Sequence, residues 1–535
     1  MAEKAARQGA DRHEHEPPAA AADDDQAGRQ PGLPAVPAVA AEPVDDLVTT
    51  QHVLRTPGAE LRYTVTTGRI VLRREEMADG KFAGHQAKAE VFLTAYTAAP
   101  GAPGPSAPAS SGPAPATPGE PAAAGPARPV TFAFNGGPGS SSVWLHLGLL
   151  GPRRVLTGDV GALLPPPQAL ADNHQTLLRH SDLVFIDPVS TGYSRAAAGE
   201  RPQDFHGFEG DIESVGAVIR LWTTRNGRWL APKYLCGESY GTVRAAALAR
   251  HLQESYGMYL NGLILISACL DFGSAEFSAG NDSPYPLFLP TYAAIAHYHG
   301  KHGDRPLHEV LAAAETYAAG EYLQVLARGS RLTAAERAAA AAKLASLTCL
   351  TEDYVDRVNL RPEHMRFLTE LLRAERRTVG RIDGRFTGWD ADYGRETMTS
   401  DPSMDAIAGP YAAALNHYVR DELAYHSDLP YEFMTGRVHP WSYKDFENRH
   451  VQVADQLAAA MRANPHLRVH IACGYYDAAT PYFAAEHDIA HLAIPAELTA
   501  NIELAYHEAG HMMYLHEPSR IAQSEQLAAF VRGAG

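Results

Sequence analysis

The stretch Pro232–Gly241 of this 535-residue chain joins an apolar run to the pattern G-x-S-x-G and then to a helix-like pattern. A serine at such a strand-to-helix junction is held on a sharp turn, where its hydroxyl is exposed for nucleophilic attack. Gly237 and Gly241 flank it because a Cβ would clash in so tight a turn. Ser239 would stand at a helix N-terminus, whose partial positive charge favours a nearby anion. The pattern therefore indicates chemistry by a serine hydroxyl.

A serine hydroxyl is a weak nucleophile at neutral pH, so the chain must also supply a general base and an acid that orients this base. Two apolar runs near the C-terminus end in suitable residues. The predicted strand Leu467–Cys473 leads to Asp477, and the predicted strand Asn501–Tyr506 leads to His511. Serine, acid and histidine follow in this order in sheet proteins that carry the turn. We predict Ser239 as nucleophile, Asp477 as acid and His511 as base.

A glycine-rich loop is the candidate source of backbone donors for a negatively charged reaction intermediate. The predicted strand Val130–Phe134 leads into the loop Asn135–Gly139, NGGPG, which lets the main chain approach a substrate and present N–H groups. The second donor in such sites is the N–H after the nucleophile, here that of Tyr240. A phosphate-binding loop is the alternative, but the Walker lysine and the G-x-G-x-x-G spacing are missing.

The segment His507–His511 encodes a rival chemistry, because it matches the zinc-peptidase pattern H-E-x-x-H. That pattern binds zinc on a helix, where the two histidines share a face and the glutamate activates water. Here it follows a predicted strand, and Gly510 disfavours a helix. A zinc peptidase is the minor alternative. The serine mechanism requires no metal and no cofactor.

Composition limits the partners and the location. The net charge of −16 argues against a nucleic-acid binder held by phosphate contacts. No apolar run approaches the length of a membrane span, and the N-terminal residues lack the apolar core of a signal peptide. A cytoplasmic protein is expected, and a different start would make it secreted or periplasmic. The four cysteines are far apart without a C-x-x-C pattern, which predicts free thiols.

Alternating strand and helix patterns predict an α/β fold with a mostly parallel sheet covered by helices on both faces. Residues 1–46, rich in Ala, Pro and acidic residues, are predicted to be disordered. Residues 47–276 form the first part of the sheet domain, with a flexible Pro/Gly/Ala insertion at residues 98–129. Residues 277–437 form a helical cap insertion. Residues 438–535 complete the sheet domain.

Five motifs resemble those of the serine carboxypeptidases, an α/β-hydrolase family with a helical insertion. In chain order they are FNGGPGSSSVWLHLGLLGP, DPVSTGYS, CGESYGT, GYYDAATP and AGHMMY. The similarity covers about residues 47–276 and 431–535 and is weak in the predicted cap. The resemblance implies a triad, two backbone oxyanion donors and a site for the substrate's C-terminal carboxylate. These are, respectively, Ser239, Asp477 and His511; Gly137 and Tyr240; and Asn135 and Glu238 with the backbone of Gly136.

The implied activity is cleavage of C-terminal residues from peptides through an acyl-enzyme, with a free peptide C-terminus as the recognised group. A second copy of the chain, forming a homodimer, is the other partner considered. A glutamate binds a carboxylate only if one of the two carboxyls holds a proton, so acidic pH would favour this binding. An esterase or acyltransferase with the same triad is the alternative. A non-catalytic binding module on the same fold is the third reading.

Two positions depart from the family. Ser140 stands where many relatives have a cysteine, so the disulfides of the relatives are not assumed. Leu149 stands where they have a glutamate that would have paired with the equivalent of Glu238. Without this partner, Glu238 is expected to be more ionised, which weakens the case for carboxylate recognition.

Overall fold

The structure is a computed structural model. Most of the predicted tail, residues 1–41, and most of the predicted insertion, residues 100–126, lie outside the residues it describes. The structure describes residues 42–56, 59–99, 127–158, 160 and 164–533, without the side chains of residues 56 and 59.

The strands carry the residues expected at a sheet core, and those of its centre are buried along their whole length. The strands are β1 Asp46–Thr56, β2 Ala59–Ala78, β3 Lys81–Ala98, β4 Val130–Phe134, β5 Arg153–Leu156, β6 Ala169–Asp172, β7 Asp182–Ile186, β8 Arg195–Ala196, β9 Lys233–Glu238, β10 Gly262–Ile266, β11 Thr378–Val379, β12 Thr387–Gly388, β13 Arg468–Gly474 and β14 Ile502–His507.

The main sheet has the order β1-β2-β3-β7-β4-β9-β10-β13-β14, and β8 pairs with β3. β1, β2 and β3 form an antiparallel meander that joins β7 in antiparallel fashion. From β7 to β14 every neighbouring pair along this path is parallel. This topology confirms the predicted α/β-hydrolase fold. The strand order reverses around β4, and ligands of such sheets bind beyond the carboxyl ends of the strands at a reversal.

The helices cover both faces of this sheet and fill the segment between β10 and β13. They are α1 Val143–Leu145, α2 Phe208–Arg225, α3 Tyr240–Tyr256, α4 Pro284–Tyr298, α5 Leu307–Ala319, α6 Glu321–Arg328, α7 Ala334–Thr348, α8 Glu352–Arg357, α9 His364–Glu370, α10 Pro402–His417, α11 Ala454–Ala463, α12 Tyr482–Ala490, α13 Ala496–Thr499 and α14 Glu517–Arg532.

The two helical layers are fixed by side chains that alternate along the strands. Phe132 of β4 contacts Trp222 of α2, with ring centroids 5.5 Å apart. Tyr234 of β9 contacts Phe530 of α14 at 6.0 Å. These two contacts belong to separate apolar clusters. A parallel sheet buried on both faces explains why these strands read as continuous apolar runs in the sequence.

The segment between β10 and β13 holds helices α4–α11, of which α4–α10 lie within residues 277–437, where a helical cap is predicted. None of the helices that the structure describes combines the length and apolar character needed to cross a bilayer. All four cysteines are free thiols. Cys236 and Cys473 are buried, whereas Cys269 and Cys349 are partly exposed.

Candidate active site

Ser239 lies on the turn between β9 and α3, with φ of 59° and ψ of −130°. This is a backbone conformation that residues with a side chain rarely adopt. Its N–H donates to the carbonyl of Ile266 at 3.0 Å. A Cβ on Gly237 would lie 2.0 Å from the carbonyl oxygen of Gly241, and one on Gly241 would lie 2.7 Å from that of Phe134. These close approaches are the clashes that the sequence predicts for the flanking positions.

The predicted acid and base are in direct contact. His511 Nδ1 lies 2.8 Å from Asp477 Oδ2, and both side chains are buried. Asp477 Oδ1 accepts the N–H groups of Ala479 and Thr480 at 2.8 and 2.9 Å. The Thr480 hydroxyl donates to Asp477 Oδ2 at 2.8 Å. The carboxylate is thus fixed by its own loop and can orient the imidazole. Sequence reasoning missed Thr480, although it lies in the motif GYYDAATP.

The main chain of His511 is held from two sides. Its N–H donates to the carbonyl of Ile382 at 2.7 Å, and its carbonyl accepts the Ser267 hydroxyl at 2.7 Å. A Cβ on Gly510 would lie 2.4 Å from Cγ of Asp383, so a residue with a side chain does not fit at this position before His511. Ile382 and Asp383 come from the insertion, which the sequence does not place at the site.

The pKa of His511 is raised above its ordinary value. Burial opposes the charged imidazolium, but the charge and hydrogen bond of Asp477 outweigh this cost. An imidazole with a raised pKa is a better proton acceptor than an exposed one. His511 and Ser239 line the same cavity, which has a volume of about 300 Å³.

The two predicted oxyanion donors lie on neighbouring loops. A Cβ on Gly136 would lie 2.4 Å from the backbone nitrogen of Tyr240, so the glycine loop packs against the start of α3. Tyr240 is the first residue of α3, and no carbonyl of the helix can accept its N–H. Gly137 has φ of 102°, a conformation that suits glycine. Gly137 and Tyr240 both line a cavity that contains Ser239.

Glu238, the last residue of β9, is buried beside Ser239 with an exposed fraction of 3%. Asn135 Nδ2 donates to its Oε1 at 2.8 Å, and the Tyr514 hydroxyl donates to its Oε2 at 2.8 Å. The amide orientation of Asn135 is fixed because its Oδ1 accepts the N–H of Leu145 at 3.1 Å. Sequence reasoning missed Tyr514, which ends the motif AGHMMY and occupies the second oxygen of Glu238.

Burial raises the pKa of Glu238 to about 7. The His511 charge and the hydrogen bonds from Tyr514 and Asn135 act in the opposite direction but do not offset burial. Glu238 therefore keeps its proton to a higher pH than an ordinary glutamate even though Leu149 stands where the family has its second glutamate. Leu149 is buried in the apolar core, and the two hydrogen-bond partners of Glu238 are neutral donors, so the cost of burying a charge dominates.

The H-E-x-x-H segment does not form the helix that its zinc chemistry requires. His507 ends β14, and the chain then bends before His511. Among the described residues, no group of three His, Cys, Asp or Glu side chains is placed to hold a metal ion. A second strand-end carboxylate, Asp271, accepts the N–H of Gly273 at 2.7 Å and so caps a turn.

Two cavities meet at Ser239. The smaller, of about 300 Å³, lies over Asn135 and Glu238. The larger, of about 460 Å³, has aromatic walls that include Phe272, Phe277 and Tyr443. A bound chain could thus extend to both sides of the serine. The residues shared by the two cavities are Gly137, Pro138, Ser239, Arg381, Ala479 and Thr480.

The chain is similar to several proteins of known structure. The solved structures found include a proline iminopeptidase from Mycobacterium smegmatis, 14% identical with a TM-score of 0.34, covering 86% of this chain and 98% of that chain. They also include the peroxisomal α/β-hydrolase Lpx1 from Saccharomyces cerevisiae, 11% identical with a TM-score of 0.32, covering 92% and 90%. Scores this low add nothing to the fold derived above. A search of the curated proteins finds no match.

The sequence profile of the serine carboxypeptidases matches residues 121–533, which is well over half of the chain. The match spans the Ser239 turn, the glycine-rich loop and the loops of Asp477 and His511. The chain therefore belongs to the serine carboxypeptidase family and is a serine hydrolase.

Proposed function

We propose that the protein is a serine carboxypeptidase that removes C-terminal residues from peptides. The observation that carries this proposal is the buried Glu238 with Asn135 in the cavity of Ser239. A carboxyl whose pKa is about 7 holds a proton in mildly acidic solution and can donate it to a substrate carboxylate. The proposed partner is therefore a peptide with a free C-terminus.

In the proposed reaction Ser239 Oγ attacks the scissile carbonyl while His511 takes the serine proton. Asp477 holds the imidazole orientation and stabilises the imidazolium. The N–H groups of Gly137 and Tyr240 stabilise the oxyanion. His511 then protonates the leaving amine, which departs as the free terminal residue. Water, deprotonated by His511, attacks the acyl-enzyme and releases the shortened peptide.

The two cavities support one orientation of the substrate. The leaving residue occupies the smaller cavity, where Glu238 and Asn135 meet its α-carboxylate. The acyl part occupies the larger, aromatic cavity. Trp144, Met404 and Met512 also line the smaller cavity. Methionine side chains adapt their shape to different apolar groups, so this wall suits apolar terminal residues of varied size.

An esterase or acyltransferase with the same triad is the second candidate. It is favoured by Leu149, because the family's second glutamate is missing and one carboxyl alone remains at the carboxylate site. In this alternative the substrate lacks a free carboxylate, or an alcohol replaces water in the second half of the reaction.

The nucleophile is tested by replacing Ser239 with alanine. We expect Ser239→Ala to lose labelling by a fluorophosphonate and to lose hydrolysis of blocked dipeptides, because no hydroxyl remains on the turn between β9 and α3. Labelling is read by intact mass. Ser346→Ala, at an exposed serine of α7, is the matched control and should label like the wild type. Full labelling of Ser239→Ala would exclude this nucleophile.

The substrate class is tested with blocked dipeptides that carry either a free or an amidated C-terminus, read by product mass. A carboxypeptidase releases the terminal residue from the free acid and prefers it over the amide. Equal turnover of both, together with fast ester hydrolysis, would favour the second candidate.

A further inference from the structure

Arg381 stands at the junction of the two cavities. It lines both of them, together with Ser239. The residue is half-buried, and its guanidinium has no hydrogen bond or ion pair within the part of the chain that the structure describes. By contrast, the nearby Arg385 is paired with Asp383 through contacts of 2.6 and 2.9 Å. Arg381 therefore presents free donors to whatever occupies the site.

The main chain of Arg381 is fixed by the elements that position the candidate triad. Its N–H donates to Asp401 Oδ1 at 3.1 Å, and its carbonyl accepts the N–H of Ala478 at 3.1 Å. The next residue, Ile382, accepts the N–H of His511. The backbone from which the Arg381 side chain extends is thus held by contacts with the acid and base loops.

A guanidinium carries five N–H donors in a planar fork that matches a carboxylate. A planar anion is therefore the ligand that this unpaired side chain fits. In the proposed reaction the substrate always brings one such group, the α-carboxylate of the leaving residue, into the smaller cavity.

The charges around Arg381 favour the smaller cavity for this anion. The larger cavity contains Glu276 and Glu363, and the pKa of Glu363 is lowered. Burial raises this pKa, but the His364 contact and backbone hydrogen bonds outweigh it, so Glu363 is ionised and repels a second anion. In the smaller cavity the carboxyl that faces the ligand is Glu238, which is partly protonated near neutral pH because its pKa is about 7.

We propose that Arg381 binds the α-carboxylate of the substrate's C-terminal residue, alongside Asn135 and Glu238. The inference rests on the proposed carboxypeptidase function. It gives the site a permanent positive charge in place of the family's second glutamate. Arg381 is a binding residue in this scheme and takes no part in proton transfer.

The proposal has a pH signature, which depends on all the titratable groups around the site. Below the pKa of Glu238, its proton and Arg381 both serve the substrate carboxylate. Above it, the ionised Glu238 repels that carboxylate and Arg381 alone offsets the repulsion. Other titratable groups also face Arg381 or Glu238. In and below the smaller cavity they are His511, Asp477, Tyr514, Tyr411 and His439. In the larger cavity they are Glu276, Glu363, His364, Cys269 and Tyr443.

The test compares the full-length wild type with Arg381→Gln, Arg381→Lys and the control Arg376→Gln. Arg376 is an exposed arginine of the same insertion and lines neither cavity. Each protein is assayed with free and amidated blocked dipeptides, and with a pair that has Glu or Gln on the acyl side. Both KM and kcat are measured about one pH unit below and about one above the pKa of Glu238.

We expect Arg381→Gln to raise KM for the free acid roughly tenfold or more on the alkaline side, and less on the acidic side, since a charge-assisted hydrogen bond is lost. The amidated substrate should change less than about twofold. Arg381→Lys should fall between the two, because it keeps the charge and loses the fork. Arg376→Gln should behave as the wild type.

Three results would overturn the proposal. The first is unchanged preference for the free acid in Arg381→Gln on the alkaline side. The second is an equal rise in KM for the amidated substrate. That result would mean that Arg381 acts through the pKa of His511, which the charge of Arg381 lowers, although less strongly than burial, Asp477 and Glu238 affect it. The third is a loss confined to the acyl-side Glu substrate. A wild type that does not distinguish acid from amide would instead overturn the carboxypeptidase function itself.

Discussion

At the scale of single residues, Glu238 combines burial with hydrogen bonds from neutral donors only. Such a carboxyl keeps its proton to a higher pH than an exposed one because water no longer stabilises the charge. Its folded-state pKa of about 7 lies above the ordinary 4.5. The residue can therefore act as a hydrogen-bond donor to a substrate carboxylate across the mildly acidic range, which an ordinary glutamate cannot do.

We expect the preference for a free C-terminus to fall as the pH rises through about 7, because Glu238 then ionises and repels the substrate carboxylate. The measured quantity is the ratio of kcat/KM for a free dipeptide to kcat/KM for its amide. His511 must be deprotonated in both reactions, so its own titration cancels in this ratio. Arg381, which stays charged, would make the fall shallower in the wild type than in Arg381→Gln.

Two glutamate variants test whether Glu238 causes this pH dependence, one at Glu238 itself and one at a second glutamate of the site as the control. Glu238→Gln removes the ionisation and should flatten the ratio across the whole range. Glu276→Gln, in the larger cavity, should keep the wild-type fall. A constant ratio in the wild type, or the same fall in Glu238→Gln, would show that another group controls the preference.

At the scale of elements, the insertion contributes residues and backbone contacts to the site. The segment that follows β11 returns to the ends of β13 and β14. Gly384 donates its N–H to the carbonyl of Tyr476 at 2.9 Å, next to Asp477 in the chain. Ile382 accepts the N–H of His511 at 2.7 Å. The loops of the candidate acid and base thus both make backbone contacts with one stretch of the insertion.

Asp401 connects this stretch to α10, and its removal tests the connection. Asp401 accepts the N–H of Ser403 at the start of α10 and the N–H groups of Arg381 and Ile382 at 3.1 and 3.2 Å. We expect Asp401→Ala to lower the free energy of unfolding by about 1–3 kcal/mol, since three N–H groups lose their acceptor. It should also lower kcat several-fold, because the support of the His511 loop shifts.

The control is Thr333→Ala, which removes the exposed cap of α7. It should cost about 1 kcal/mol and leave kcat unchanged. Urea unfolding and steady-state assays give the two readouts. An Asp401→Ala protein that loses stability but keeps the kcat of the wild type would show that the stretch does not position His511.

The sequence pattern does not predict the full lengths of some strands and helices, for physical reasons. Apolar alternation predicts strands over residues 61–74 and 88–97, whereas β2 and β3 pair beyond these bounds. Their outer ends carry little apolar alternation, and Met77 and Phe82 there are exposed. A helix is predicted over residues 446–462, but α11 begins at Ala454. The chain before it pairs with the turn after β10, where Phe272 donates its N–H to the carbonyl of Val451.

The residues of the candidate site also differ in how far the sequence predicts their positions. Ser239, Asp477 and His511 follow strands whose ends meet at one edge of the sheet, so strand order alone predicts their neighbourhood. Tyr514 and Glu238 lie 276 positions apart, and nothing in local pattern joins them. Arg381 belongs to a polar, turn-rich stretch of the insertion without strand rhythm. Its place at the site depends on tertiary contacts that periodicity does not encode.

At the scale of the whole molecule, the insertion and the sheet share one apolar core. Phe288 of α4, Leu344 of α7 and Phe367 of α9 belong to the cluster that contains Leu265 of β10. The described residues form a single compact unit. A helical layer joined to a sheet by continuous side-chain packing should not unfold without disturbing the sheet, because no solvated boundary separates the two.

Leu344→Ala tests this coupling from a position in the insertion. Leu344 is 0% exposed, so the substitution should lower the free energy of unfolding by about 2–5 kcal/mol through lost burial and the cavity left behind. We expect the midpoint of urea unfolding by circular dichroism and the midpoint for loss of fluorophosphonate labelling to move down together. Leu323→Ala, at a leucine of α6 that is 49% exposed, should move neither midpoint appreciably. If Leu344→Ala shifted the spectroscopic midpoint while labelling persisted to the wild-type urea concentration, the insertion would unfold separately, and the support that Ile382 gives to His511 would have to survive without its core.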